Sequence, residues 1–394
     1  MIPGLYYNLI RDLPFNLPGP DWRDIKKILA LTRIIPKELL WLKILNKRFF
    51  KIPSEVLDLY LTYRPTPLVR AHNLESYLDL PERIAIYYKN ESVSPTGSYK
   101  LNAAIPSVYF GKKAGYKRVV CATSAGQWGA AIAFAASIFG LKCKVYMVKS
   151  AYYNKPVRRD LIISYGAEVE PTPDDSPGLA NSIAISDAVS THSLFPMLHL
   201  EMFHGIIGSE TKIECERLGI KPDIMIAPVG SGMNFVSFIS SYLKDNIVKK
   251  LNIEFLGIES NLASKLTKGK YVRASYDSMG LSLPVQAYSL DSNVVLGEMA
   301  AEGLRVSSAS VLLSALYHNK MVKIQSYEEK AAINSGDIFA GTERICPAPE
   351  SSYAIAAVID RALLAKERKE KATILFNLSG HGLLDKNPDN DGKQ

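Results

Sequence analysis

From about residue 84 onward, short apolar runs alternate with longer amphipathic segments, and this alternation restricts the fold more than any other feature of the chain. Residues 84–89, 118–122, 143–149, 168–170, 224–228, 254–259 and 372–377 read as strands. Residues 100–111, 129–139, 156–165, 182–189, 207–218, 234–243 and 350–365 read as helices. Strands that take turns with helices predict an α/β fold, with parallel sheets covered by helices. The chain has 394 residues, 47% of them hydrophobic, which suits two or three domains with sizeable cores. No repeat of solenoid period is present.

The stretch before the alternation is different. Up to about residue 50 it is rich in proline and basic residues, which predicts an extended arm followed by short helices at 24–31 and 36–45. Arg64-Pro65-Thr66-Pro67-Leu68 is expected to be extended, because a residue before proline avoids the helical region. No basic segment followed by an apolar run opens the chain, and the apolar stretch near 130–141 is too short to span a bilayer. Cys121, Cys143, Cys215 and Cys346 form no CxxC pair and read as core residues of a reducing compartment. A cytoplasmic protein without a metal site or membrane partner is expected. The net charge of +8 is spread along the chain without any zinc-finger or RNA-binding signature, so no nucleic-acid partner is expected.

Four turns carry chemistry, and each follows a strand. In 89–102, KNESVSPTGSYKLN, Lys100 opens a helix. The helix dipole there disfavours the ammonium form, which suits an amine that forms an imine with an aldehyde. Asn102 is placed to hydrogen-bond a cofactor ring substituent. An ordinary surface lysine at a turn is the alternative. In 123–127, Thr123, Ser124, Ala125, Gly126 and Gln127 open the next helix, where free N–H groups bind carboxylates or phosphates. Val229-Gly230-Ser231-Gly232-Met233-Asn234 is a glycine loop of anion-binding type, with neither a Walker lysine nor a full GxGxxG pattern. In 376–382, FNLSGHG, Ser379 is a hydrogen-bond partner for a neutral pyridine nitrogen. Each turn taken alone is also explained by ordinary capping.

The order lysine turn, carboxylate turn, phosphate turn, serine turn is more specific than any of its parts. Together with RPTPLVRA (64–71), KPVRR (155–159) and CPAPES (346–351), it resembles the tryptophan synthase β subunit, in its second, stand-alone branch found mostly in archaea. The resemblance runs from about residue 53 to the end of the serine turn. It implies the two-domain type II fold of pyridoxal 5'-phosphate enzymes, with residues 89–205 as a smaller mobile domain carrying the cofactor lysine. The larger domain is expected to combine 206–394 with part of 1–88. By resemblance Lys100 holds the cofactor, Asn102 bonds the ring oxygen, and Gly230, Ser231, Gly232, Met233 and Asn234 cradle the phosphate. Ser379 pairs with the pyridine nitrogen, Glu350 lies near the ring, and residues 123–127 grip the amino-acid carboxylate. The implied reaction joins serine, or O-phospho-L-serine, to indole. A homodimer is implied, and an α subunit is a candidate partner.

Three positions depart from the family pattern. Ala122 stands where a glutamate works as general acid and base, and alanine moves no proton. Tyr99 replaces a histidine that contacts the phosphate, and Ser124 replaces a glycine. Arg305 stands where an acid holds the hydroxyl of serine, and a guanidinium would instead pair with a phosphate leaving group. A solvated loop arginine is the alternative there. Glu91 and Glu350 are the carboxylates considered as replacements for the missing glutamate. Two further functions stay open: a diverged β-replacement enzyme or serine deaminase, and a protein that binds pyridoxal phosphate or a partner without turnover.

Overall fold

The computed structural model describes residues 2–44, 47–197, 200–290 and 296–385. Its larger sheet runs in the order Lys323–Tyr327, Glu254–Ser260, Ile224–Pro228, Ala372–Leu378, Ile84–Asn90, Leu68–Arg70. All neighbours in it are parallel except the last pair, where Leu68–Arg70 runs antiparallel to Ile84–Asn90. The central strands are apolar along their whole length because helices cover both faces. Pro349–Glu367 packs across one face with Tyr353, Ile355 and Val358 buried, and Met233–Lys249 covers the other with Phe235, Phe238 and Ile239. A smaller parallel sheet holds Arg118–Thr123, Lys142–Met147 and Glu168–Pro171. The helix Gln127–Phe139 lies on it, with Ala130, Ala131, Ile132 and Ala133 packed out of solvent.

The alternating pattern is therefore reproduced element by element, with shifts at helix ends where capping decides. The helix expected at 182–189 begins earlier, at Pro177, because the Ser176 hydroxyl accepts from the Leu179 N–H and Pro177 suits the first helical turn. The arm contains the expected helices as Ile25–Thr32 and Lys37–Ile44, and Leu45 lies outside the described residues. It also contributes a strand, Leu5–Tyr7, that pairs antiparallel with Phe49–Lys51. No element is assigned from the sequence between 260 and 349. That segment holds the hairpin Lys270–Ala274 with Val285–Ser289, the edge strand Lys323–Tyr327, and the helices Val311–His318 and Glu329–Glu343. These strands are short and half-exposed, so side-chain alternation marks them weakly.

Three adjacent central strands of the larger sheet end in the lysine turn, the serine turn and the glycine loop. The first strand of the smaller sheet, Arg118–Thr123, ends in the carboxylate turn. All four turns leave the carboxyl ends of parallel strands, where open α/β sheets place ligands.

Candidate active site

These turns line one cavity of about 1070 Å³. Lys100 caps the helix Leu101–Lys113 and donates from Nζ to Gln127 Oε1 at 2.6 Å. Burial pushes its amine down from 10.5 to about 8, against the opposing pull of the Glu350 carboxylate. Gln127 Nε2 in turn donates to Glu350 Oε2 at 3.2 Å, and the Gly303 N–H donates to Glu350 Oε1 at 2.8 Å. The reacting amine is thus oriented by a side chain of the smaller sheet, and that side chain by a carboxylate of the larger part.

The glycine loop opens the helix Met233–Lys249. Among the described residues, the backbone N–H groups from Gly230 to Phe235 find no acceptor in the chain, while Val229 N and Val236 N find the carbonyls of Ile258 and Gly232. A side chain has no room here. Gly232 sits at φ +104°, and a Cβ would lie 2.3 Å from Leu313 Cδ2. A Cβ on Gly230 would lie 2.4 Å from the Gly303 carbonyl. Asn377 Nδ2 donates to Asn234 Oδ1 at 2.7 Å, which leaves the buried Asn234 Nδ2 without a partner. Buried donors of that kind are rare unless a ligand completes them.

Ser379 lines the same cavity. Its N–H donates to Ser351 Oγ at 3.1 Å, and the two hydroxyls lie 2.9 Å apart. With Ser351 donating between the hydroxyls, the Ser379 O–H is left to donate into the cavity. In the carboxylate turn, the Gly126 N–H donates to Thr123 Oγ1 at 3.1 Å, and Ser124, Ala125 and Gln127 line the cavity. Gly126 backs onto Arg158, a fully buried arginine that donates to the Thr96 carbonyl at 3.0 Å and pairs with Asp385 at 3.2 Å. Arg158 therefore ties the carboxylate turn to the lysine turn.

The candidate residues do not all converge. Asn102 faces away, and it is absent from the cavity lining. Its Oδ1 accepts from Tyr63 Oη at 3.0 Å and Arg64 Nη1 at 2.8 Å, and its Nδ2 donates to Glu91 Oε2 at 2.8 Å. Glu91 is buried in the same cluster, bridged by both Arg64 Nη atoms and by Thr66. Burial alone would raise its pKa, but Arg64 outweighs burial and holds the carboxyl down to about 2. Glu91 is therefore a fixed anion outside the cavity, whereas Glu350 lines it. Ala122 lines the cavity too, with nothing ionisable to offer. Arg305 is not a solvated loop residue. It is 3% exposed, pairs with Glu302 at 3.2 Å, donates to the Leu296 carbonyl at 3.0 Å, and keeps a buried Nε without a partner beside the cavity.

Sequence reasoning misses His204, which lines the cavity and packs on the Tyr99 ring at 4.8 Å. Burial, reinforced by the charge of Lys100, pushes its pKa down to about 3, so its imidazole is neutral. Nothing in its local pattern marks it. The arm is also missed as part of the site: Leu17, Pro18, Trp22 and Leu31 extend the cavity into an apolar passage. Among the described residues no His, Cys, Asp or Glu group is arranged to hold a metal ion, and no helix is long and apolar enough to cross a membrane.

The family model for pyridoxal-phosphate dependent enzymes matches residues 59–380. The tryptophan synthase beta chain of Pyrococcus horikoshii is 40% identical, covering 98% of this chain and 89% of that protein. Tryptophan synthase beta chain 2 of Thermotoga maritima is 38% identical, covering 98% and 96%. Among solved structures, maize serine racemase superposes with a TM-score of 0.63 at 16% identity, covering 83% of this chain and 92% of that one. A bacterial-type threonine deaminase superposes with a TM-score of 0.60 at 20% identity, covering 83% and 96%. These two structures speak to the fold alone.

Proposed function

We infer the function from one premise: the chain belongs to the pyridoxal-phosphate dependent enzymes and, within them, to the tryptophan synthase β chains. It is a pyridoxal-phosphate dependent lyase that forms L-tryptophan by β-replacement, with indole as the nucleophile. The donor is serine or O-phospho-L-serine, and the buried Arg305 with its unpartnered Nε supports the phosphorylated donor. The observation that carries the reading is the convergence of Lys100, the glycine loop, the carboxylate turn and Ser379 on one cavity.

The residues fit the cofactor. The free N–H groups of 230–235, the orphaned Asn234 amide and the lack of room for any Cβ at Gly230 and Gly232 suit a phosphate. Ser379 suits a neutral pyridine nitrogen and Glu350 the polar edge of the ring. Asn102 would reach the ring only by leaving its Glu91 cluster, so it is assigned to holding the lysine turn rather than to the cofactor. When bound, pyridoxal phosphate supplies an electron sink for carbanion chemistry at the substrate α-carbon.

The chain's own groups do the rest. Lys100, deprotonated more readily than an exposed lysine, serves as the amine nucleophile and carries the α-proton on Nζ. Gln127 and Glu350 hold that nitrogen in place. Thr123 to Gln127 grip the substrate carboxylate with backbone N–H groups and the threonine hydroxyl. Arg305 pairs with a departing phosphate, so the leaving group needs little help from an acid at Ala122. The apolar passage toward the arm takes indole. Residues 89–205 act as the smaller, closing unit that excludes water. The enzyme is a homodimer, and any α subunit would deliver indole to the passage.

The test is a product assay on the cofactor-loaded protein with serine or O-phospho-L-serine, each with and without indole. Tryptophan formed from O-phospho-L-serine and indole supports the reading. Pyruvate formed from either donor regardless of indole would instead make the chain a deaminase. An absorbance spectrum that no amino acid changes would reduce it to a binding protein.

A further inference from the structure

Behind the glycine loop, on the side away from the cavity, lies a second buried lysine that the reaction does not use. Lys265 follows the short turn Asn261–Ala263 and is 0% exposed. Its Nζ donates to the carbonyls of Val229 and Ala263, both at 3.2 Å. Its nearest carboxylate, Glu259 Oε2, is 3.8 Å away, too far for a hydrogen bond. Glu259 is occupied elsewhere: it accepts from the N–H groups of Leu266 and Thr267 and from Thr267 Oγ1. A fully buried ammonium is costly unless something needs its charge. Burial pushes this amine down to about 8, with Glu259 opposing the shift.

The contact to Val229 gives the charge an outlet. The Val229 carbonyl and the Gly230 N–H belong to one peptide unit. A cation bonded to the carbonyl pulls electron density toward the oxygen and makes the N–H at the other end a stronger donor. That N–H is the first of the free donors in the glycine loop, and Val229 N is itself fixed to the Ile258 carbonyl. We propose that Lys265 is a positioning residue for cofactor binding: its ammonium orients and polarises the Val229–Gly230 peptide, so that the loop holds the cofactor's phosphate more tightly. The proposal rests on the reading of residues 230–234 as the phosphate seat. In sequence Lys265 is indistinguishable from Lys268 and Lys270, which read as surface lysines.

The experiment compares the affinity of the cofactor-free protein for pyridoxal phosphate and for pyridoxal, which lacks the phosphate, by absorbance titration. The variants are Lys265→Met, which removes donor and charge, and Lys265→Gln, which keeps a donor and removes only the charge. Lys265→Met is expected to weaken pyridoxal phosphate by about tenfold while leaving pyridoxal unchanged, with a smaller loss in Lys265→Gln. Equal losses for both ligands would mean that Lys265 only supports the fold, and unchanged affinities would mean it does nothing for the loop. Either result overturns the proposal. Should Lys265→Met not fold, Lys265→Gln decides by the same ratio. If the parent protein itself binds pyridoxal phosphate no better than pyridoxal, the phosphate seat is misassigned and the proposal falls with it. A parent preference that survives both substitutions overturns the role of Lys265 alone.

Discussion

The two walls of the cavity have diverged to different extents. The wall on the larger sheet keeps every feature that the lysine turn, glycine loop and serine turn imply: Lys100 at a helix start, free N–H groups from Gly230 onward, and a Ser379 hydroxyl aimed at a ligand. The wall on the smaller sheet keeps its shape and changes its chemistry. Its strand ends in Ala122, its turn contains Ser124, and Arg305 faces it across the cavity with Glu302 as a buried partner. Holding a cofactor is thus preserved by close packing, while acting on the side chain of the substrate is left to residues that touch little else. A group wedged between backbones cannot change without moving the fold, whereas a side chain at the open end of a strand can.

The comparison can be broken most sharply at Lys100. Lys100→Met is expected to lower tryptophan formation by at least about 10³-fold with the fold intact, checked by product assay and circular dichroism. Activity that survived would move the chemistry off the larger sheet. Next in size is Ala122→Glu, which restores an acid–base group to the smaller wall. The rate of indole addition should rise by about 10–10²-fold, at the lower end of what such a group contributes. No gain in a stopped-flow measurement would mean another residue already moves that proton.

Arg305 sharpens the contrast between the donors. Arg305→Gln combined with Glu302→Gln, so that no buried carboxylate is stranded, is expected to raise KM for O-phospho-L-serine by about 10- to 100-fold and leave KM for serine nearly unchanged. Equal effects on the two donors would make the pair structural. Gly232→Ala tests the packed wall. With φ at +104° and Leu313 at 2.3 Å from the new Cβ, it should cost about 1–3 kcal/mol, read from denaturant unfolding, and weaken cofactor binding with it.

The smallest effect is one of pH. In the cofactor-free protein Lys100 has a pKa of about 8 rather than 10.5, so its buried charge subtracts stability fully below about pH 8. The penalty fades between about pH 8 and 10.5 as the unfolded chain also loses its proton. Lys100→Met should therefore stabilise the cofactor-free protein at pH 7, by no more than about 3 kcal/mol, and by less at pH 10. Melting curves of both proteins at the two pH values check it. A gain that is the same at both would mean that the amine is not desolvated.

The fold class and the four turns were legible because each is local. A strand, a polar turn with glycine and a helix start occupy about fifteen consecutive residues, and hydrophobic period and capping mark them. The smaller strands between 260 and 349 were not legible, since half-exposed edges carry little alternation. Asn102 shows the limit of placing a side chain by its distance from a landmark. Two residues past Lys100 it lies on another face of the helix, where Arg64 and Glu91 claim it.

The sequence by itself determined the α/β architecture, the lysine that opens the reaction and the family to which the chemistry belongs, including the loss of the carboxylate at Ala122. Tertiary structure alone decided which charges are available. Glu91 and Glu350 are both glutamates near the right turns, yet one is locked by Arg64 outside the cavity and the other reaches Lys100 through Gln127. Arg305 and Lys265 look like surface residues in the chain, and both are buried against the site. The physical reason is that the field of a charge depends on its burial and its partners. Those come from segments up to a few hundred residues apart in the chain, and no local pattern records them.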